Sequence, residues 1–407
     1  MRLLPKLRFS LRTLLLGVLL IGSGVTLWWH WEPWRPEKVL NQHSSLCHDI
    51  QFSNDGSLML TAGSDHVARL WRWPSGKVIQ SFNGHSDVVF SARFSPDGRQ
   101  IVTSSFDTTA RIFETHTGRC IHELRGHRFS VFCASFSPDG TQVITGSADG
   151  SAKVWDMASG AMLLDLSGHC GRIFFAFFTP DGSKIVTSCA DGPTLVWSNQ
   201  GRSIFHFPDG GEWPGGLALS TDGNSLYLVR KLGDSYEGEW AIRTWDLNSG
   251  QVLKSTPPMQ TFPRSFSVRP DGARLLFAGG ANECYACDGF RIEEIYSSPV
   301  GSIFTVTYSP DGSFAALQYE RKHVAILSSS YEVQAVLTGN NMFRTTFSPD
   351  GKRLLLANLD GSISVYRNYR PAYWWGLAWL PEFWLTLALS VAFCWSLIRD
   401  FRTRGAG

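Results

Sequence analysis

Three short stretches of this sequence carry residue types that can do chemistry, and the first is a Cys-x-x-Cys motif. Cys284 and Cys287 have the spacing of half a zinc site or of a redox dithiol. A zinc site needs a second ligand pair at suitable spacing, and the sequence offers none. A redox dithiol belongs at a strand-to-helix junction, whereas this pair lies along a predicted strand. We therefore expect both cysteines to be structural.

The other two stretches do not meet the requirements of the sites that they resemble. His85-Ser86-Asp87 contains the residue types of a hydrolase triad, but neighbours in sequence do not form triad geometry. The glycine-rich stretch 209–216 lacks the Gly-Lys-Ser/Thr ending and the following helix of a phosphate-binding loop. The sequence therefore predicts no catalytic residue, no metal site and no cofactor, and we expect a protein that is not an enzyme.

The elements that would position any site follow from a five-residue phrase that occurs eight times. The copies are Phe52-Ser-Asn-Asp-Gly56, Phe94-Ser-Pro-Asp-Gly98, Phe136-Ser-Pro-Asp-Gly140, Phe178-Thr-Pro-Asp-Gly182, Leu219-Ser-Thr-Asp-Gly223, Val268-Arg-Pro-Asp-Gly272, Tyr308-Ser-Pro-Asp-Gly312 and Phe347-Ser-Pro-Asp-Gly351. Their closing glycines are 39 to 49 residues apart. A period near forty is typical of a four-stranded propeller blade.

Each unit reads as strand, Asp-Gly turn, strand, turn and strand, most clearly between Val143 and Asp156. In every unit except the fifth, the residue 15 positions after the closing glycine occupies the same position in the predicted third strand. These positions are Trp71, Phe113, Trp155, Trp197, Cys287, Leu327 and Tyr366. The constant register predicts one strand plan for all units, and hence an all-β, eight-bladed propeller.

Dipeptides such as Gly126-His127 and Trp155-Asp156 add a family resemblance. Over residues 37–368 the chain resembles WD-repeat β-propellers. The resemblance implies a hydrogen-bonded tetrad of histidine, strand hydroxyl, turn aspartate and tryptophan within a blade. The matching positions are His43, Thr61, Asp65 and Trp71; His85, Thr103 and Asp107; His127, Thr145, Asp149 and Trp155; and His169, Thr187, Asp191 and Trp197.

The tetrad is incomplete elsewhere. Phe113 replaces the tryptophan of the second unit and removes one donor. Units five to eight keep only Trp245 and Asp360, so apolar packing is expected to hold them together.

The two ends of the repeat region predict how the ring closes. Residues 37–43 align with 76–85, the outer strand that leads into unit two, and the last unit stops at Tyr366 after its third strand. The N-terminal segment should therefore supply the missing outer strand and leave no open sheet edge. A seven-bladed ring that excludes one unit is the alternative.

Two apolar stretches flank the predicted propeller. Residues 13–31 follow a basic N-terminus at 1–12, and residues 377–398 precede a basic tail at 399–407. A helix of about 20 residues crosses a bilayer core of ~30 Å, so both stretches are predicted transmembrane helices. A cleaved signal peptide is the alternative for the first. The start of the chain is also similar to those of bacterial envelope proteins.

The charges around these stretches predict a topology. By the positive-inside rule both termini lie in the cytoplasm and the propeller lies outside it; a cytoplasmic propeller is the alternative. Because the closing blade contains both propeller ends, the two helices should leave it side by side.

The charge of the chain is unevenly distributed. The net charge of the whole chain is +2, but the propeller segment taken alone has a net charge of about −3, so no nucleic-acid binding is expected. Its eight cysteines show no paired framework by spacing.

Unit five is predicted to carry a partner-binding patch. Its seven extra residues fall within residues 231–240, and the loop at 207–216 lies on the same face in WD-repeat proteins. The patch residues are Glu212, Trp213, Asp234, Tyr236, Glu237, Glu239 and Trp240. Aromatic anchors within a charged rim suit protein binding. The alternative is a loosened blade that its tryptophans cap.

A second aromatic pattern runs through the innermost strands. The residues Phe90, Phe132, Phe174, Phe304 and Phe343 each lie four positions before the first residue of their phrase. They should cluster around the central channel, where packing between blades is favoured over a ligand-binding ring.

Taken together, these features favour a membrane-anchored propeller that serves as a non-catalytic protein–protein interaction scaffold. The alternative is a small-ligand sensor or hydrolase that uses the central channel. The fold does not name a partner.

Overall fold

The computed structural model describes residues 34–190, 192–208, 217–220, 222–232, 239–279, 282–288, 291–339 and 341–368. The chain divides into two units, one formed by Pro36–Tyr366 and the other by the two terminal segments. The predicted segments 1–12, 13–31, 377–398 and 399–407 lie outside the described residues. Within the described ranges, no helix has the length and apolar character that a bilayer crossing requires.

The first half of the propeller consists of a closing strand and four complete blades. The closing strand is β1 (Trp34–Asn41). The blade strands are β2 (Cys47–Phe52), β3 (Leu58–Gly63), β4 (Ala68–Arg72) and β5 (Lys77–Phe82) in blade one; β6 (Val89–Phe94), β7 (Gln100–Ser105), β8 (Ala110–Glu114) and β9 (Cys120–Leu124) in blade two; β10 (Val131–Phe136), β11 (Gln142–Ser147), β12 (Ser151–Asp156) and β13 (Met162–Ser167) in blade three; and β14 (Ile173–Phe178), β15 (Lys184–Cys189), β16 (Thr194–Ser198) and β17 (Ser203–Phe207) in blade four.

The second half follows the same plan. Its strands are β18 (Leu217–Leu219), β19 (Ser225–Leu232), β20 (Glu239–Asp246) and β21 (Val252–Ser255) in blade five; β22 (Ser265–Val268), β23 (Leu275–Ala278), β24 (Glu283–Cys287) and β25 (Ile292–Ser297) in blade six; β26 (Ile303–Tyr308), β27 (Phe314–Tyr319), β28 (His323–Ser328) and β29 (Val333–Thr338) in blade seven; and β30 (Met342–Phe347), β31 (Arg353–Asn358) and β32 (Ser362–Asn368) in blade eight.

Each of these blades is a four-stranded sheet with its strands in sequence order, except the last. Blade eight has the order β1-β32-β31-β30, so the N-terminal strand forms its outer edge. The predicted eight-bladed, all-β propeller is therefore confirmed, together with its closure by the N-terminal strand. The seven-bladed alternative is wrong, because all eight units form blades.

The repeated phrase forms the turn between the first and second strands of every blade. The geometry of this turn explains why the same residue types recur. The closing glycine has φ between 65° and 73° in all eight copies, a region that favours glycine. In the copy at residues 94–98, the Ser95 hydroxyl donates to the Asp97 carboxylate at 2.6 Å, and the amide of Gln100 donates to Ser95 Oγ at 3.0 Å. The phrase is therefore a self-contained turn, which is why it recurs.

The hydrophobic core lies between neighbouring blades. Leu60 and Leu70 of blade one pack with Ile101 of blade two, and all three are buried. Equivalent clusters join blade three to four and blade six to seven. Because each blade covers the face of the next, the second strand of a blade, such as β7, is buried on both faces rather than alternating.

Two ion pairs cross the point where the ring closes. Arg353 on β31 donates to Glu37 on β1, with Nε 2.7 Å from Oε2. The buried carboxylate of Asp49 on β2 pairs with Arg93 of blade two, and also with Arg344 of blade eight at 3.1 Å. The second contact set joins three consecutive blades through one carboxylate.

Candidate functional site

The predicted tetrads form hydrogen-bonded sets in blades one and three. In blade three, His127 Nε2 lies 2.8 Å from Thr145 Oγ1, and Trp155 Nε1 donates to the same oxygen at 2.9 Å. The other ring nitrogen, Nδ1, lies 3.0 Å from a carboxylate oxygen of Asp149. The blade-one contacts are the same in kind, between His43 and Thr61 at 2.7 Å, Trp71 and Thr61 at 2.9 Å, and His43 and Asp65 at 2.8 Å.

Blade two has the predicted gap in its set. His85 lies 2.8 Å from Thr103 Oγ1 and 2.7 Å from an oxygen of Asp107. Phe113 fills the tryptophan position and packs on Phe82, with ring centroids 5.4 Å apart. Asp87, the aspartate of the apparent triad, is exposed, and its carboxylate accepts a hydrogen bond from the backbone amide of Val88. His85, Ser86 and Asp87 therefore do not form a triad.

Blade four repeats the buried part of the tetrad. Thr187 Oγ1 lies 2.7 Å from His169 Nε2 and accepts from Trp197 Nε1 at 2.7 Å. Asp191 lies outside the described residues. Burial, and then the charge of His206, lower the pKa of His169 to about 4.

The electrostatics of the tetrads match a structural role. Burial by itself would raise the pKa of Asp65, but hydrogen bonds from His43 and Arg69 outweigh it and lower the pKa to about 2. Burial lowers the pKa of His127, and the charge of Asp149 only partly opposes this effect. In blade three, the neutral imidazole of His127 lies between an ionised carboxylate and a buried hydroxyl, so it fixes a loop and leaves no group free for acid–base work.

The Cys-x-x-Cys motif lies along β24, as the sequence predicts. Cys284 packs with the cluster between blades six and seven, whereas Cys287 packs with the cluster on the blade-five side. Successive positions of a strand face opposite ways, so residues three apart cannot face one ligand together. Burial raises the pKa of Cys284 to about 12, which keeps it a thiol. Nowhere in the described ranges do three His, Cys, Asp or Glu side chains gather as a metal site would require.

Only two of the seven predicted patch residues of blade five lie in the described part of the chain. Glu239 is exposed and accepts from Gln260 at 3.0 Å. Trp240 packs edge-on against Phe262 at 4.7 Å, and its backbone exchanges two 2.7 Å hydrogen bonds with Met259. Trp240 is thus half-buried against the connection between blades five and six. The other five, Glu212, Trp213, Asp234, Tyr236 and Glu237, lie outside the described residues, so the patch stays a prediction.

The hairpin in blade five differs from the expected long loop. Its two strands are longer than the second and third strands of the other blades, and the pairing continues to Leu232 opposite Glu239. Beside it, a groove of about 560 Å³ is lined by Pro257, Pro258, Tyr285 and Arg291 among others.

The most repetitive candidate surface is at one end of the central channel. In six blades the first strand begins with a β-bulge, and the unpaired residue is aromatic. The bulged residues are His48, Phe90, Phe132, Phe174, Phe304 and Phe343. A bulge re-aims a side chain out of the regular pleat. In blade six Arg264 stands at the equivalent position, immediately before β22. We call these seven residues the channel rim.

The rim residues contact one another across blade boundaries. His48 lies 5.6 Å from Phe343 and 5.2 Å from Phe90, between ring centroids. Phe132 continues the arc, at 5.5 Å from Phe90 and 4.7 Å from Phe174. These phenylalanines are only half-buried, and Phe343 is 37% exposed. The arc therefore provides the predicted packing between blades and still presents aromatic surface to solvent.

The opposite side of the rim is cationic. The guanidinium groups of Arg264 and Arg321 lie over the ring of Phe304, at 5.8 and 5.9 Å from its centroid. Both arginines are exposed. Arg321 and the preceding Glu320 both have positive φ, 52° and 49°, an uncommon conformation for such residues that this tight turn imposes.

The comparison with known families agrees with this architecture. A family model described as IFT122 first beta-propeller matches residues 46–328, well over half of the chain. The chain belongs to this beta-propeller family. The match begins one residue before β2 and ends with β28, so it covers blades one to six and most of blade seven. No curated protein matches the chain significantly. The predicted WD-repeat propeller class is thereby confirmed, whereas a bacterial origin stays a prediction.

Two rim residues were missed by sequence reasoning although the signal was present. His48 and Arg264 lie four positions before the phrase residues Phe52 and Val268, the same register as the five phenylalanines. The sequence pattern that predicts the channel cluster consists of phenylalanines, and these two residues share its register but not its residue type. Arg321 gave no such signal, because it comes from a turn between the second and third strands.

Proposed function

We propose that this chain is a membrane-anchored, non-catalytic interaction platform whose binding surface is the channel rim. The observation that supports it is the repeated bulge, which places an aromatic side chain at the same end of six blades, with Arg264 at the equivalent position of a seventh. Aromatic residues and arginine are enriched among the residues that dominate binding energy at protein interfaces. Membership of the beta-propeller family supports a scaffold role.

The chemistry of the rim favours a partner segment that is both acidic and apolar. Arg264 and Arg321 each have donor groups exposed above Phe304, while the arc from Phe343 to Phe174 offers apolar contact. A carboxylate would pair with the guanidinium groups, and an aromatic or aliphatic side chain would lie on the arc. A protein segment can supply both within a few residues.

The alternative, a hydrolase or small-ligand sensor in the channel, has weaker support. The carboxylate next to the rim, Asp49, is buried between Arg93 and Arg344, which lower its pKa although burial opposes them. A carboxylate paired in this way is a poor general base at neutral pH. No nucleophile–base pair lies among the described rim residues.

The membrane and compartment parts of the proposal rest on sequence. The uncharged stretch 13–31 and the stretch 377–398, each beside basic residues, support two anchoring helices with cytoplasmic ends. On this topology the rim faces an extracytoplasmic partner. Protease protection of the propeller in sealed vesicles tests the orientation, and digestion from the cytoplasmic side would reverse it.

The rim is tested with a photo-crosslinking residue in place of Phe343 in the full-length, membrane-inserted chain. We expect crosslinks to a protein segment that carries acidic and aromatic residues, identified by mass spectrometry. The Arg264→Glu/Arg321→Glu variant should reduce the crosslink yield at least about tenfold, because it reverses the charge that the partner meets. Arg99→Glu is the matched control, since Arg99 is exposed at the opposite end of its hairpin.

The outcomes separate the candidate surfaces. Unchanged yield in the double arginine variant, with the fold intact by circular dichroism, would contradict a charge-selective rim. Loss in the Trp213→Ala/Trp240→Ala variant alone would place the site on blade five. Crosslinks only to small molecules would favour the sensor alternative.

A further inference from the structure

Two cysteine thiols meet in blade four, at a place where the sequence shows no pairing. Cys170 is exposed in the loop at residues 168–172, which leads into β14, and Cys189 is buried at the end of β15. A Cβ atom placed on Gly192 would lie 2.7 Å from Cys189 Sγ and 2.8 Å from Cys170 Sγ. Both sulfurs therefore border the same small gap, which only a glycine at position 192 leaves open.

The neighbouring blades show what this position normally does. Cys189 corresponds to Ser105 in blade two and Ser147 in blade three, each two residues before the turn aspartate. Ser147 Oγ donates to the carbonyl of Phe129 at 3.0 Å, and Ser105 Oγ donates to that of Asp87 at 3.2 Å. In those blades a hydroxyl therefore fastens the entry loop to the second strand.

Blade four replaces this hydrogen bond with a pair of thiols. The Cys189 thiol still borders the loop at Gly171, the residue equivalent to Phe129. The loop itself now contributes a second thiol beside it, that of Cys170. A weak thiol hydrogen bond is a poor substitute for the serine contact, whereas a covalent bond between the same two segments would be a stronger one.

We propose that Cys170 and Cys189 are a modification site that forms an intramolecular disulfide, with a small-molecule disulfide such as oxidised glutathione as the oxidant. The exposed Cys170 thiolate attacks one sulfur of oxidised glutathione and releases one glutathione. Cys189, after losing its proton to water, then attacks Cys170 Sγ and releases the second glutathione. Two protein thiols are oxidised and one glutathione disulfide is reduced to two thiols.

The order of attack follows from burial. Burial and the neighbouring Cys170 raise the pKa of Cys189 to about 11, so Cys189 is seldom a thiolate at neutral pH. Cys170 is the accessible partner and reacts first, while Cys189 resolves the mixed disulfide because the two are neighbours. The closed loop contains the whole β14–β15 hairpin, and with it the rim residue Phe174.

The test uses full-length protein, equilibrated in reduced and oxidised glutathione at ratios that span the poise of oxidising compartments. Thiols are then blocked with an alkylating tag and the protein is digested without reduction. We expect two fewer tagged cysteines, a linked peptide pair containing Cys170 and Cys189, and a Tm several degrees above that of the reduced protein. This result does not depend on the proposed partner.

Two matched variants distinguish loss of the disulfide from loss of the fold. Cys189→Ser restores the serine of blades two and three, so it should fold, lose the linked peptide and show the same Tm in both buffers. Cys120→Ser removes another exposed thiol and should leave the linkage intact. Full tagging of both cysteines in the wild type under the most oxidising ratio would overturn the proposal. So would glutathione retained on Cys170 without resolution by Cys189.

Discussion

The hydroxyl of Thr145 lies between two buried ring nitrogens, and its two contacts need opposite chemistry. Asp149 accepts from His127 Nδ1, so in the neutral imidazole Nε2 accepts the hydrogen of the threonine hydroxyl. The same oxygen accepts from Trp155 Nε1. At the residue scale one hydroxyl therefore satisfies a buried acceptor and a buried donor, and blade two, with Phe113, has only the first.

Replacing this hydroxyl should therefore have a larger effect in blade three than in blade two. Thr145→Val leaves two buried polar atoms unpaired and should lower the free energy of unfolding by about 2–4 kcal/mol. Thr103→Val leaves one unpaired atom and should cost about 1–2 kcal/mol. Urea denaturation of both variants measures the difference. Equal losses would show that the tryptophan donor adds nothing to the tetrad.

The lowered pKa of His169 predicts a pH dependence with a definite sign. Its folded pKa, about 4, is below the unfolded value of 6.5, so the unfolded chain binds the proton more readily. The stabilisation is fully present above about pH 6.5 and is lost as the pH falls toward 4. The difference in Tm between the wild type and His169→Gln should shrink over this range. A constant difference would contradict the assignment, because the two proteins differ only at position 169.

At the element scale, the closing strand β1 is held in place both by strand pairing and by an ion pair. It covers the edge that β32 would otherwise expose, and Arg353 of β31 reaches it through Glu37. The Arg353 side chain is 10% exposed and that of Glu37 is 22% exposed, so water screens this pair only partly. The exposed pair of Arg119 and Glu114, 3.9 Å apart, is its natural control.

A double-mutant cycle on the closing pair should give a measurable coupling energy. We expect about 1–3 kcal/mol between Arg353→Met and Glu37→Gln, since removal of either partner leaves a partly buried charge. The same cycle on Arg119→Met and Glu114→Gln should give less than about 0.5 kcal/mol. Chemical denaturation at two salt concentrations provides both values. A closing pair that couples no better than the surface pair would show that backbone pairing alone seals the ring.

At the scale of the whole molecule, the side chain of Asp49 forms ion pairs with both of the blades that flank its own. Its buried carboxylate contacts Arg93 of blade two and Arg344 of blade eight from its place in blade one. Arg93 and Arg344 lower its pKa although burial alone would raise it. The charge is thus stable only while both neighbouring blades are in place, which couples the closing blade to the start of the ring.

Asp49→Asn should accordingly destabilise the entire propeller. The neutral amide leaves two partly exposed guanidinium groups without their anion, and we expect a loss of about 1–3 kcal/mol in the free energy of unfolding. Asp87→Asn, an exposed change in the loop just before β6, should stay within about 0.5 kcal/mol. Calorimetry gives both values. A stability unchanged by Asp49→Asn would mean that the ring closes without this contact.

Much of the fold could be predicted because the repeat acts locally. The polar groups of the Ser95–Asp97–Gly98 turn hydrogen-bond to one another, so this residue pattern predicts a turn wherever it occurs in the chain. The alignment of residues 37–43 with the outer strand of blade one likewise predicted closure. The cationic side of the channel rim could not be predicted as well, because Phe304, Arg264 and Arg321 come from three strand ends that only the closed ring brings together.

The sequence by itself determined the number of blades, their strand order and the tetrads of blades one and three, because period, turn chemistry and register are properties of neighbouring residues. Only the tertiary structure showed that the predicted phenylalanines lie on bulges, that Trp240 packs on Phe262, and that Cys170 meets Cys189. The physical reason is distance along the chain. These contacts depend on how loops cross blade ends, and no local pattern of residues encodes where a loop ends in space.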